Sequence, residues 1–188
     1  MINFNDSGYI FCKGLVDEST IKTISQYFEN KIARKEWKSE PETQNSSAFG
    51  YYSDPLIEVM LKECLPIIEK ETQLNLHPTY SYSRVYQENE ELLPHTDRPS
   101  CEVSVTVNVA RKGDCWPLWM QYKDNDPSKF ELEVGDAVIY KGCEVTHWRR
   151  PLQKDNLNIQ FMLHYVNQHG PYSDYKFDKR QALGFERS

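Results

Sequence analysis

His95 and Asp97 stand two residues apart in the stretch Leu93-Pro94-His95-Thr96-Asp97-Arg98-Pro99. On an extended backbone, residues i and i+2 point the same way. An imidazole and a carboxylate can therefore address one point in space while Thr96 faces elsewhere. One more histidine supplied by the fold completes a 2-His-1-carboxylate set, which leaves metal positions open and suits non-haem Fe(II). His147 is the candidate for that third position.

A lone H-x-D is common by chance, and its weight here comes from context. It stands at the entry to a run in which Val103, Val105, Val107 and Val109 alternate with Ser104, Thr106 and Asn108, the pattern of a two-faced strand. His147 follows another apolar run, Ala137–Tyr140, across a turn containing Gly142. The 50 residues from Asp97 to His147 leave room for antiparallel strands to bring the chain back to the same end of a barrel. A structural zinc site would be closed by a fourth protein ligand. His77, His164 and His169 lie in unrelated contexts and read as core or surface histidines.

The elements that must carry these groups divide into a helical and a strand-rich part. Tyr9–Val16 reads as a short strand. Asp17 or Ser19 caps a helix whose Ile21, Ile24, Phe28 and Ile32 recur at spacings of three and four. A second helix starts with Ser53 or Asp54 as cap and Pro55 at its first position and runs to about Gln73, with Leu56, Met60, Leu61, Leu65 and Ile68 inward and a kink or break at Pro66. Between the helices, Lys35–Ser53 has no period. It reads as a loop whose Trp37, Phe49, Tyr51 and Tyr52 suit the covering of a substrate. From Thr79 the period becomes two, with Tyr80, Tyr82, Arg84 and Tyr86 on one face. Further strands are expected at Trp116–Tyr122, Glu131–Glu133, Ala137–Tyr140 and Asn158–Val166. Many short strands after two helices predict a closed antiparallel double-sheet barrel with helices on one outer face. The 188 residues are expected to form one domain: helical support over about 17–73, a barrel core over about 79–166 and a tail over 167–188.

Composition excludes several classes. With 39% hydrophobic and 27% charged residues the chain is that of a folded, soluble protein. A net charge of −6 argues against a nucleic-acid binder acting through a broad basic surface. No stretch approaches the roughly 20 apolar residues of a membrane span, and no secretory signal is visible. The five cysteines contain no C-x-x-C pair and read as reduced thiols of a cytoplasmic protein.

Taken in order, the strand and helix YIFCKGLVDESTIKTISQYF, then Arg84-Val85-Tyr86, His95-Thr96-Asp97, Gly135-Asp136-Ala137-Val138-Ile139-Tyr140, and His147 with Pro151 four residues on, resemble the Fe(II)/2-oxoglutarate-dependent dioxygenases, within them the prolyl-4-hydroxylase-like branch. The resemblance implies a double-stranded β-helix, the jelly-roll or cupin-like barrel, mainly β with N-terminal helices packed on one face. It implies His95, Asp97 and His147 as iron ligands, with 2-oxoglutarate and O2 as co-substrates and ascorbate in support. The reaction implied is hydroxylation of a peptide residue or an amino-acid-like small molecule, with release of succinate and CO2. The carboxylate at Asp97 favours hydroxylation, since halogenases of the superfamily carry a small residue there.

Tyr86, nine residues before the first ligand, matches the Tyr that reaches the distal carboxylate of 2-oxoglutarate in that branch. The Lys or Arg that the branch places ten residues after the distal His is here Leu157. A buried carboxylate needs a counter-charge. Arg149 is the first candidate, with Arg84 and Arg98 next. Substrate contacts are expected from the 35–53 loop, Arg98, Trp116, Trp119, Trp148 and Arg150, with buried aromatic core as the competing role for the tryptophans. Two other readings remain open: a nucleic-acid dealkylase, which the acidic charge disfavours, and a non-catalytic barrel that binds metal or a small ligand, which Leu157 favours.

Overall fold

The computed structural model describes residues 3–36, 38–39 and 49–185, with the backbone alone for 38–39. A one-turn helix α1 (Phe4–Ser7) leads into strand β1 (Tyr9–Cys12). The strand stops short of Val16 because the chain turns at Gly14, whose φ is +59°. Helix α2 (Glu18–Ala33) begins where expected: the Asp17 carboxylate accepts from the Ser19 and Thr20 N–H groups at 3.0 and 3.1 Å. Its stripe buries Ile21, Ile24 and Phe28. Ile32 does not join it and is 36% exposed, and the neighbouring inward position belongs to Lys31, paired with Asp54 at 2.5 Å.

The expected loop over 35–53 is structured at its end. Strands β2 (Lys38–Ser39) and β3 (Phe49–Tyr52) pair with each other, and β3 adds to the edge of a sheet. Trp37 lies outside the described residues. Asp54 then caps α3 (Pro55–Glu63), and α4 (Leu65–Thr72) follows after a break at Cys64, with Pro66 in its first turn. The proline thus starts a helix where it could not continue one.

The remaining strands are β4 (Leu76–Tyr86), β5 (Leu92–His95), β6 (Val103–Lys112), β7 (Leu118–Tyr122), β8 (Ser128–Phe130), β9 (Ala137–Lys141), β10 (Val145–Arg149) and β11 (Leu157–Asn167). They form a seven-stranded sheet in the order β1-β9-β6-β11-β4-β3-β2 and a four-stranded sheet in the order β5-β10-β7-β8, in which all neighbouring strands run antiparallel. Residues of both sheets line one cavity between them. The architecture is therefore the expected double-sheet jelly-roll, mainly β, with the helices packed on one outer face. Three strands differ locally from expectation. Strand β10 is an addition, and it holds His147. Strand β8 falls at Ser128–Phe130 and not at Glu131–Glu133, where Leu132 is buried instead and its carbonyl accepts from Asn108. Strand β7 starts only after Pro117, which has no N–H to give a neighbour.

Period two divides the large sheet cleanly. Val103, Val105, Val107 and Val109 of β6 and Ile159, Phe161, Leu163 and Tyr165 of β11 pack against Ile21, Ile24, Phe28, Ile57, Leu61 and Ile68 of the helices. The opposite face carries Tyr82, Arg84, Tyr86, Thr106, Gln160, Met162 and His164 towards the cavity. Thus the helices cover one face with apolar contacts and leave the other free for polar chemistry. The tail, which the sequence left without structure, folds back as short 3-10 turns over Ser173–Lys179. Among the described residues no helix is long and apolar enough to cross a membrane.

Candidate active site

Strand pairing brings the two histidines together. β5 and β10 are antiparallel neighbours, and His95 stands directly opposite His147. Their rings lie 4.2 Å apart between centroids. In each case Nδ1 faces the carbonyl two residues back, Leu93 O at 2.8 Å for His95 and Val145 O at 3.1 Å for His147. A carbonyl can only accept, so the proton sits on Nδ1 and the Nε2 lone pair is left for a metal. Asp97 lies just past the end of β5, where its N–H donates to the Gly142 carbonyl at 2.8 Å. Its Oδ1 is 3.7 Å from His95 Nε2 and 3.6 Å from His147 Nε2. The three ligand atoms all fall within 4.8 Å of one another. Two imidazole nitrogens and one carboxylate oxygen on one side of an open cavity are a donor set that fits Fe(II).

Burial shapes the charge states. It pushes His147 down to about 4 and lowers His95, so both rings are neutral near pH 7. It pushes Asp97 up to about 6, although the Ser104 hydroxyl, donating to Oδ2 at 2.7 Å, works the other way. Gly142 is needed at its place. A Cβ there would meet the Cys101 carbonyl, Asp97 Oδ2 at 2.6 Å and Ser104 Oγ at 2.8 Å.

Arg149 follows His147 by two residues on β10 and reaches the same cavity. It is 2% exposed. Its guanidinium donates to the Trp116 carbonyl and, at 3.0 Å, to Gln160 Oε1. Its Nε is buried with no hydrogen-bond partner among the described residues. Burial lowers its pKa to about 10, and the groups that counter this are Tyr86, Cys115 and Tyr140, not a carboxylate. Tyr86 packs edge-on against Trp116 at 4.8 Å, and the Arg149 guanidinium lies 4.7 Å over the same indole. Arg84, on the cavity face of β4, stands 3.5 Å from the Tyr86 hydroxyl. Leu157, in contrast, packs on the helix side of the sheet. The inward position on β11 nearest Arg149 is Gln160.

The other expected site residues separate. Arg98 lines the cavity, but Asp178 of the folded-back tail holds it through two bonds of 2.8 and 2.9 Å. Trp116 is buried and supports Arg149, with its Nε1 donating to the Arg150 carbonyl at 2.7 Å. Arg150 is exposed and lies over Trp119, which stacks on Trp148; this group sits outside the cavity lining. Sequence reasoning missed Ser104, Gln160 and His164. His164 had been read as a core or surface histidine. It is indeed buried, but it also lines the cavity and touches Ser104. The signal for all three was available: each occupies a polar, inward-facing position on a strand whose other face is Val or another large apolar residue.

Two facing sheets around a polar cavity are a fold that the chain shares with solved 2-oxoglutarate–Fe(II) oxygenases. Among solved structures the chain is similar to a Pseudomonas putida prolyl-4-hydroxylase, with a TM-score of 0.73, 16% identity, and coverage of 87% of this chain and 95% of that one. It is also similar to a Trichoplax adhaerens prolyl hydroxylase in complex with a hypoxia inducible factor peptide fragment (TM-score 0.71, 12% identity, 88% and 86% covered). A third is HygX from Streptomyces hygroscopicus with nickel and 2-oxoglutarate bound (TM-score 0.67, 10% identity, 88% and 85% covered). No family model matches the sequence, and neither does any curated protein.

Proposed function

We propose that the protein is an Fe(II)- and 2-oxoglutarate-dependent dioxygenase that hydroxylates an unactivated C–H bond of a peptide residue or of an amino-acid-like small molecule. The observation that carries this is the meeting, in one cavity of about 290 Å³, of His95, Asp97 and His147 with the buried, carboxylate-free Arg149. His95, Asp97 and His147 hold the iron. Arg149, with Tyr86 and Arg84, receives the distal carboxylate of 2-oxoglutarate. The spacing supports this: two residues along a strand span about 7 Å, a length comparable to that of a five-carbon dicarboxylate. When bound, the iron and 2-oxoglutarate supply the oxidising chemistry, with O2 as oxidant and succinate and CO2 as products. The chain's own part is to hold the ligands neutral or singly charged in fixed tautomers and to neutralise the far carboxylate.

The bound groups printed for the similar structures support the same reading. HygX holds nickel and 2-oxoglutarate, and the Trichoplax enzyme holds a peptide. Arg149 also supplies the cation whose absence at Leu157 had favoured a non-catalytic barrel. The five unpaired thiols support a reducing, cytoplasmic setting. The test is anaerobic titration of 2-oxoglutarate into the Fe(II)-loaded protein, followed by admission of air. We expect a charge-transfer absorption band on titration, and slow succinate formation that ascorbate sustains and that a panel of free amino acids and Pro-containing peptides accelerates. A band without succinate would mean a binding barrel, and no band at all would remove the enzyme reading.

A further inference from the structure

The two oxygens of Asp97 have different neighbours. Oδ1 faces the two imidazoles, whereas Oδ2 turns to Ser104 Oγ at 2.7 Å. The same hydroxyl lies 2.9 Å from Nδ1 of His164, and Ser104 and His164 stand directly opposite each other where β6 pairs with β11. A hydroxyl has one proton to give. Of its three possible acceptors the Asp97 carboxylate is the nearest and the one that carries charge, ahead of His164 Nδ1 and of the Cys101 carbonyl at 3.1 Å. The proton therefore goes to the carboxylate, and His164 must be the donor to Ser104, which puts the imidazole proton on Nδ1. The ring is clamped in this pose: its face lies on Tyr80 with centroids 4.5 Å apart, and Tyr80 stacks on Tyr52 at 5.0 Å. His164 is 5% exposed, so a polar ring has been buried where an apolar side chain would cost less. Neither residue belongs to the His95–Asp97–His147 set.

We infer that Ser104 and His164 are positioning residues that anchor Asp97 Oδ2 and so present a single carboxylate oxygen to the metal. The inference rests on the iron reading above. A carboxylate released from this anchor can turn about its last bond and offer both oxygens, which fills a position that an open triad keeps for its small ligands. The Tyr140 hydroxyl also reaches Asp97, so the anchor is weakened and not abolished when either residue is changed.

Titration of Co(II) into the metal-free full-length protein, read by calorimetry and by the visible spectrum, tests this without turnover. Ser104→Ala and His164→Leu are expected to weaken Co(II) binding by about 10- to 100-fold and to change the band pattern. His164→Asn, which returns an N–H near the place of Nδ1, is expected to bind Co(II) close to wild type. Unfolding temperatures of the metal-free variants report any loss of packing separately. The inference is overturned if Ser104→Ala and His164→Leu bind Co(II) as wild type does with unchanged bands. It is equally overturned if His164→Asn is impaired as much as His164→Leu, which would make the ring a packing element. Wild-type protein that binds no Co(II) would instead bring down the metal reading itself.

Discussion

At one end of the cavity His95 and His147 each turn Nδ1 to a carbonyl of their own segment and leave Nε2 beside Asp97. At the other end Arg149 lies buried with Nε unpaired and, among the described residues, no carboxylate against it. The first end is a buried anion flanked by neutral donors, and it calls for a cation. The second is a buried cation with spare donors, and it calls for an anion. Each charge costs folding free energy where it stands. The cavity is thus polarised along β10, and the ligand that relieves both ends has metal-binding atoms at one terminus and a carboxylate at the other. Neither end alone carries that specification.

Removing a metal ligand is the most severe way to break the comparison. Asp97→Ala and His95→Ala are expected to lose Fe(II)-dependent succinate formation by at least about 10³-fold, as befits a bound metal that organises the whole reaction. Both variants keep Arg149, so an assay that still shows near-normal succinate release would take the iron away from this end of the cavity.

The far end should yield a smaller loss and a diagnostic rescue. Truncating one partner of a buried charge pair costs about 3 kcal/mol, or about 100-fold in affinity. Arg149→Met is therefore expected to raise the KM for 2-oxoglutarate by about 100-fold while leaving Fe(II) binding near wild type. Because the wild-type cation is buried without a carboxylate, the metal-free variant should unfold at the same temperature or higher. Adding Gln160→Arg to Arg149→Met should recover part of the affinity, since Gln160 faces the cavity beside the guanidinium. Adding Leu157→Arg should not, since Leu157 packs on the helix side. Rescue by Leu157→Arg alone would mean that the far carboxylate is held elsewhere.

That asymmetry explains what could be read from the chain. The His95–Asp97 pair was legible because its information is local: an H-x-D pair and the Val alternation of β6 need only period two, whereas its meeting with His147 depends on the pairing of β5 with β10. The helices were legible from Asp17, Asp54 and Pro55, which act within one turn. The position of Ile32 was misread because the buried Lys31–Asp54 pair, a contact 23 residues apart, took the inward place. Strand β10 was not foreseen, because two of its three buried positions, His147 and Arg149, are polar while Thr146 and Trp148 are half-exposed, which leaves no apolar face to read. The role of His164 was hidden for a related reason. Its meaning lies in the register of β11 against β6, which no stretch of sequence states.

Gly142 offers a milder perturbation of the metal end alone. The added Cβ of Gly142→Ala would crowd Asp97 Oδ2 and Ser104 Oγ together with the Cys101 backbone, which cannot move aside cheaply. Overpacking of this kind costs about 1–3 kcal/mol. The expected result is roughly tenfold weaker Fe(II) binding and a lower unfolding temperature, with 2-oxoglutarate affinity at saturating metal little changed. Equal loss at both ends would show that the two ends are coupled through the sheet.

The smallest effect separates what Asp97 does for function from what it does to the fold. Burial raises its pKa from 3.8 to about 6 in the folded, metal-free protein. A group whose folded pKa is raised contributes stability below its unfolded pKa and loses it as pH climbs through the folded value. Wild-type apoprotein therefore loses this contribution between about pH 4 and pH 6, by about 3 kcal/mol for a shift of this size. Asp97→Asn cannot ionise, and its amide oxygen can still accept from Ser104. The variant should be inactive yet more stable than wild-type apoprotein at pH 7.5, with the advantage vanishing towards pH 4. His147 and His164, both depressed by burial, act in the opposite sense and lose stability as pH falls below 6.5 in both proteins. His95, also depressed by burial but raised by Asp97, is depressed further in the variant, which shrinks the advantage faster towards acid. Chemical denaturation of the two metal-free proteins across pH 4 to 7.5 gives the comparison directly. Saturating Fe(II) should then erase the advantage, because the metal supplies beside Asp97 the positive charge that its ionised carboxylate lacks in the apoprotein.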